Sequence, residues 1–387
     1  MTDSVDHTIE ILENLVSFES VSERPTHGII GYIKDYLAGH GIEVTLSFDE
    51  TGERANIFAT IGPEIDGGIV LSGHTDVVPV EGQNWETDPF KLTRKGNRLH
   101  GRGSVDMKGF LACVLGSVPQ FKACDLAKPI HIAFSYDEEV GGFGMPVLLE
   151  AMAGEPFRPE IVIVGEPTEM KLITGHKGGY EMRTEISGFE VHSSNPGKGV
   201  NAIFAATKLI SKIEEIGARL AAEPYPNSPF EPPYCTFNVG IIEGGAACNA
   251  TAGWCNFDWE FRPMPGEDGS KYVDELRAYA ASELLPAMKA VSDEADINII
   301  VKAPVPALDD TNAALAAAFV SEITGLNSQD VVSFGTDGGY FSDAGFSTVV
   351  FGPGSITRAH QPNEYIEVSE LEQGLAFLEK VAKRISK

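Results

Sequence analysis

Three short apolar runs, each ending in residues that can ionise, constrain this chain more than any other feature. They read IVLSGHTDVV from Ile69, IHIAFSYDEE from Ile130 and IVIVGEP from Ile161. Runs of this length, rich in β-branched residues and bounded by turn formers, predict strands buried in an α/β sheet. His74, Asp76, Glu138, Glu139 and Glu166 then fall at or just past the strand ends. Ligands of open α/β sheets gather at the carboxyl ends of strands, so these five residues mark a candidate site.

With 387 residues the chain exceeds one ordinary core and predicts two domains. Ile9, Leu12, Leu15 and Val16 recur at helical spacing in the opening segment. From about Gly179 the texture changes. The strand YEMRTEISG leads to a helical stretch from Val200 to Leu220, then the strands TFNVGIIEGG and WCNFDWEFR. A helix from about Lys271 to Met288 and the strand INIIVKA complete the series. This β-α-β-β-α-β order is the ferredoxin-like split pattern. The expected fold class is therefore α/β, a mixed-sheet catalytic domain formed by residues 1–178 and 304–387, with an inserted ferredoxin-like α+β domain over 179–303. Within the insert, the Pro-rich stretch from Pro224 to Tyr234 reads as a rigid loop. STVVFGP and a helix from Glu370 to Ile385 return the chain to α/β texture.

Several function classes drop out on charge and composition. A formal net charge of −27 opposes sequence-independent contact with nucleic acid, whose phosphates it would repel. No apolar run approaches the roughly 18 residues that cross a bilayer. The N-terminus lacks the basic and apolar regions of a signal peptide, so a cytoplasmic protein is expected. Five cysteines, an odd number without a CxxC pair, fit reduced thiols better than a disulfide framework or a cysteine zinc site.

The chemistry-bearing residues are modest singly and informative together. His74 and Asp76, two apart on a strand, share a face, so the carboxylate can orient the imidazole. Alone, HxD more often marks a structural histidine. Asp106 lies among the glycines of GRGSVDMKGF, where sharp turns allow close approach to a ligand, and its two oxygens suit bridging two cations. Lys108 beside it reads as a surface or carboxylate-paired lysine. Asp137, Glu138 and Glu139 follow directly on an apolar strand, and burying that much like charge is costly unless cations compensate it. On an extended backbone Glu138 and Glu139 would point opposite ways, one toward metal and one toward a water proton. An exposed acidic turn is the alternative. Glu166 adds a fourth carboxylate, and His360 sits in the glycine- and proline-rich GPGSITRAHQPNEY. Two histidines and three carboxylates, with Asp106 shared, would hold two divalent ions, and a donor set without thiolate suits zinc, cobalt or manganese.

These residues, in this order, resemble the acetylornithine deacetylase and succinyl-diaminopimelate desuccinylase family of co-catalytic zinc hydrolases. The resemblance covers nearly the whole chain, and GEPTEMKLITGHKGG, FGTDGGYF and GPGSITRAHQPNEY look like its acetylornithine deacetylase branch. It implies that His74, Asp106 and Glu166 hold one zinc and that Asp106, Glu139 and His360 hold the other, with cobalt as a substitute. Asp76 would orient His74, and Glu138 would be the general base. It further implies a homodimer through the inserted lid domain, with His192 of GFEVHSSNPGKG reaching the partner's site. Arg262 and Asn249 would bind the substrate's carboxylate and backbone, and Thr336 and Gly338 would line its pocket. Two positions depart from the branch: Gly142 stands where a cysteine often follows YDEEVG, and GTDGG replaces a GTE loop.

The reaction so implied is hydrolysis of the amide bond of a small-molecule N-acyl amino acid, N2-acetyl-L-ornithine foremost, as in arginine biosynthesis. A succinyl-diaminopimelate desuccinylase, a broader aminoacylase or dipeptidase, and a non-catalytic binding protein on the same fold are the other expectations.

Overall fold

The computed structural model describes residues 2–387, which form two compact units. One joins the chain through His176 to Leu308–Lys387, and the other is Lys177–Ala307.

The first unit opens with helices α1 (Thr2–Ser17) and α2 (His27–Gly39), followed by strands β1 (Val44–Phe48), β2 (Ala55–Ile61) and β3 (Ile69–His74). Two short strands, β4 (Thr93–Lys95) and β5 (Arg98–His100), precede α3 (Lys108–Ala123) and β6 (Ile130–Ser135). Then come α4 (Gly144–Gly154), β7 (Ile161–Val164) and β8 (Ile173–His176).

The second unit contains β9 (Gly179–Ser187), α5 (Ala202–Ala222), β10 (Thr236–Gly244), β11 (Trp254–Arg262), α6 (Ser270–Tyr279), α7 (Leu285–Lys289) and β12 (Asp296–Val305). Its strands lie in the order β10-β11-β9-β12, all antiparallel, which is the ferredoxin-like arrangement. Alternation along β11 puts Cys255, Phe257, Trp259 and Phe261 into the core beneath α5 and α6. The second helix is not continuous: a wide π turn over Ala280–Leu284 separates α6 from α7, with Pro286 just inside α7.

Back in the first unit, α8 (Ala314–Thr324), β13 (Asp330–Val332), α9 (Gly338–Asp343), β14 (Ser347–Val350), β15 (Tyr365–Glu367) and α10 (Val368–Arg384) complete the chain. Eight strands form a mixed sheet in the order β1-β2-β6-β3-β7-β14-β8-β13. At its centre β6, β3, β7 and β14 run parallel. Ile69 and Leu71 enter the core shared with α1, α3 and α10, while Val70 enters the opposite one with α4 and α9. Ile163 against Val162 and Val349 against Val350 repeat the pattern, so both faces are covered and the runs read as continuously apolar. A separate three-stranded sheet, β15-β5-β4, was not legible as strands in the sequence. No helix among the described residues is long and apolar enough to cross a membrane.

Candidate metal centre

Because β6, β3 and β7 are parallel neighbours, their carboxyl ends lie side by side, and the residues that follow them converge. His74 ends β3. Its Nε2 lies 3.1 Å from Asp106 Oδ1 and 3.7 Å from Glu166 Oε1. The other oxygen of Asp106, Oδ2, is 3.3 Å from His360 Nε2, which in turn is 2.9 Å from Glu139 Oε2. Asp106 therefore faces a histidine with each oxygen. Candidate ligand atoms of His74, Asp106 and Glu139 lie within 4.8 Å of one another, as do those of His74, Glu138 and Glu166.

Glu166 follows Gly165, and this glycine is required by packing. A Cβ there would stand 2.1 Å from the Phe110 ring of α3. The close approach sets where β7 delivers its carboxylate.

The acidic segment differs from the extended backbone expected of it. Asp137 takes a left-handed φ of 55°, and Glu138–Val140 form a 3-10 turn. In that turn both glutamates face the cluster instead of opposite sides. Asp76 holds the turn: its Oδ1 accepts from Glu138 N at 3.1 Å, and its Oδ2 from Glu139 N at 3.2 Å and Ser22 Oγ at 2.7 Å. Asp137 accepts from Glu23 N at 2.8 Å and from the Arg54 guanidinium. His74 Nδ1 lies 2.9 Å from the main-chain oxygen of Asp76 and 3.5 Å from its carboxylate. The residue orients the imidazole mainly through its backbone, while its side chain fixes the glutamates.

The electrostatics show a site with more negative charge than its protein surroundings comfortably hold. Burial pushes Glu138 and Glu166 well above the usual carboxylate range, with neighbouring carboxylates adding to the rise. Burial and then the charge of Asp106 carry Glu139 to about 7. Burial would raise Asp106 too, but hydrogen bonds from His360 and His74 outweigh it and hold it below its ordinary value. His360 rises to about 10 through its bonds to Asp106 and Glu139. Burial acts downward on His74 and is outweighed by hydrogen bonds to Asp106 and Asp76. Four carboxylates and two imidazoles, with no thiolate among them, suit divalent cations of the zinc, cobalt or manganese type. The five cysteines are free thiols.

Three residues near the cluster went unmarked as site residues in the sequence. Lys108 is fully buried, which removes the surface alternative; it donates to Phe18 O at 2.9 Å and feels the carboxylates of Glu364 and Asp76. Glu364 Oε1 accepts from Val105 N at 2.9 Å and Asp106 N at 3.2 Å. Asp337 Oδ2 accepts from Ser135 Oγ at 2.6 Å, and burial lifts its carboxyl to about 6. Thr336, also buried, accepts from Gly338 N at 3.0 Å where α9 begins.

His192, Asn249 and Arg262 belong to the other unit. The exposed His192 ring bonds Ser194 Oγ at 2.8 Å, and Ser193 N donates to Asn249 O at 3.0 Å, so these two segments run together. Arg262 ends β11 with its guanidinium on Glu260 at 3.0 Å.

Comparison with known proteins agrees with this architecture. The acetylornithine deacetylase of Myxococcus xanthus is 35% identical over 383 residues, covering 96% of this chain and 95% of the relative. That of Proteus mirabilis (strain HI4320) is 33% identical over 376 residues, covering 94% and 93%. In fold, the chain is similar to a di-peptidase from Saccharomyces cerevisiae (TM-score 0.74, 17% identity, 98% and 97% covered). It is likewise similar to an M20 family metallo-carboxypeptidase from Sulfolobus solfataricus (TM-score 0.74, 18% identity, 98% and 99% covered). The sequence pattern of peptidase family M20/M25/M40 matches residues 70–384, and the chain belongs to that family of hydrolases.

Proposed function

We propose that this hydrolase cleaves the amide bond of an N-acyl amino acid, foremost N2-acetyl-L-ornithine, giving L-ornithine and acetate in arginine biosynthesis. One observation carries the reading: each oxygen of Asp106 faces a different histidine, His74 on one side and His360 on the other. The names of the relatives at 33–35% identity support the substrate.

In this reading His74, Asp106 and Glu166 would hold one zinc and Asp106, Glu139 and His360 the other, with cobalt able to substitute. Bound there, such ions would offset the carboxylate charge, polarise a carbonyl and lower the pKa of water from about 15.7 to about 7. Glu138, kept proton-hungry by burial, takes the proton of the attacking water and passes it to the departing amine nitrogen. A group so placed contributes roughly 10²–10⁴-fold. Arg262, once released from Glu260, clamps the substrate carboxylate with two parallel hydrogen bonds, and Asn249 holds its backbone. Thr336 and Gly338 line the pocket. His192 donates to the developing oxyanion in the partner subunit of a homodimer. The dimer is supported by β10, an edge strand of the inserted sheet that exposes Ile241 and Ile242. The reaction would take place in the cytoplasm.

A substrate panel tests this directly. With zinc or cobalt added, N-acetylornithine should be turned over faster than N-acetylcitrulline, N-acetylmethionine, N-succinyl-diaminopimelate or dipeptides. A preference for the succinyl compound or for dipeptides would replace the substrate while keeping the hydrolase. No turnover of any of them, with no metal bound, would sink the reading.

A further inference from the structure

His360 is held differently from its partners. His74 ends one strand of the large sheet and Glu166 follows another, whereas His360 sits on a loop, its side chain 52% exposed and its φ at +61°, in the left-handed region. A non-glycine residue stays there only where its surroundings over-determine it. The surroundings here are a polar network that runs from the buried Arg102 and Glu364 out to an exposed bond on His360.

Gln83 Nε2 donates to the main-chain oxygen of His360 at 2.9 Å. The amide of Gln83 cannot flip without loss, because its oxygen already accepts from Arg102 Nη2 and from Trp85 Nε1 at 3.1 Å. The Arg102 guanidinium lies over the Trp85 ring, 5.1 Å from its centre. On its other side Arg102 Nη1 donates to Glu364 Oε2 at 2.7 Å and reaches Gln361 O at 3.4 Å. Glu364 then uses its second oxygen on the backbone of Val105 and Asp106. The small sheet supplies the frame. His100 of β5 stands opposite Tyr365 of β15, so the Asp106 loop and the His360 loop leave the same end of that sheet. Gly101 N adds a bond to Glu364 O at 3.1 Å. Arg102 and Glu364 are each 1% exposed, and a buried ion pair of this kind is poor at adding net stability. Its contribution is geometric.

We propose that Gln83, Arg102 and Glu364 are positioning residues that hold His360 at the distance from Asp106 needed to share a cation, with Gln83 bonded to His360 and to no other candidate ligand. The proposal rests on the two-cation reading above. Removing the Gln83 amide frees the His360 backbone but leaves the Arg102–Glu364 pair, β3 and β7 in place. The cation of His74, Asp106 and Glu166 should then be unaffected.

The test is zinc binding by purified full-length protein in competition with a chelator, read as two separate affinities. Gln83→Ala should weaken one zinc roughly 10–100-fold, the range usual for groups that orient a ligand, and leave the other within about twofold. The thermal midpoint of the metal-free variant should fall only by what the lost bonds to Arg102 and Trp85 cost, and by the same amount in the His360→Ala background. His360→Ala should weaken the same zinc, and adding Gln83→Ala to it should change nothing further. Equal weakening of both zincs, unchanged binding of both, or a further loss in the His360→Ala background overturns the proposal. Should the parent protein bind no zinc, the two-cation reading falls first and this one with it. A parent that binds two and a Gln83→Ala variant that binds them equally well removes only the positioning role.

Discussion

Glu138 and Glu139 are adjacent in the chain and bear different environments. Glu139 touches the His360 imidazole, while Glu138 makes no ion pair among the described residues and is pushed toward its protonated form by burial and then by the neighbouring carboxylates. Glu138→Ala should accordingly retain both metals, measured by elemental analysis, and lose roughly 10²–10⁴ in kcat. Loss of metal in that variant would reassign Glu138 as a ligand, a role its proximity to His74 and Glu166 makes a fair competitor. The same carboxyls shape stability. Glu139 is raised from 4.5 to about 7, Asp337 from 3.8 to about 6, and Glu138 and Glu166 well above their ordinary values. Between about pH 4.5 and 7 the folded, metal-free protein then holds protons that the unfolded chain has released. Its stability must fall as pH rises through that window. His131, lowered by burial, opposes this, as does Lys108, lowered by burial to about 7, at the upper edge of the window. Chelator-treated protein should melt lower at pH 7 than at pH 5, and zinc should remove most of the difference. A midpoint that rises from pH 5 to pH 7 without metal would contradict the assignment.

Strands, helices and turns differ in how much of their placement the amino acids announce. β3, β6 and β7 were legible because both faces are buried, which leaves apolar runs too short for helices and sharply bounded. The carboxylates at their ends were legible as a site because parallel strands bring such ends together. The 3-10 turn at Glu138 was not. It depends on the left-handed Asp137, tethered by Glu23 and Arg54 from distant parts of the chain, and local propensity carries no trace of that. The small sheet was missed for a similar reason: three-residue strands have no periodicity to detect, and β15 finds β5 across 265 positions of sequence (Tyr365 opposite His100). Lys108 could be read as a surface or a carboxylate-paired lysine because nothing near it in sequence shows that α3 is buried nearly all round. Packing between elements yields its own prediction. Gly165→Ala would drive a methyl group into the Phe110 ring, forcing β7 and α3 apart. The expected cost is about 1–3 kcal/mol by denaturant unfolding, together with weaker zinc binding as Glu166 shifts. Gly154→Ala, which meets nothing within 4 Å, should do neither.

Across the whole molecule, the residues proposed for catalysis divide between two units: the candidate metal ligands lie in one, and His192, Asn249 and Arg262 lie in the other. If His192 serves the partner's site, two inactive proteins should repair one another. Mixing Glu138→Ala with His192→Ala subunits should restore activity toward about a quarter of the parent value, since random pairing makes half the dimers hybrid and each hybrid has one intact site. Activity no higher than the sum of the separate variants would place the histidine's action within its own subunit or remove it. The division also has a genetic side. Where the inserted segment leaves and returns, His176 and Leu308 bond one another in both directions, N–H to O at 3.1 Å each way. The parent unit thus closes its own ladder below the graft, like a bud scar already healed. Substitution or lengthening confined to the residues between those two leaves this closure, and every candidate metal ligand, on the other side of it.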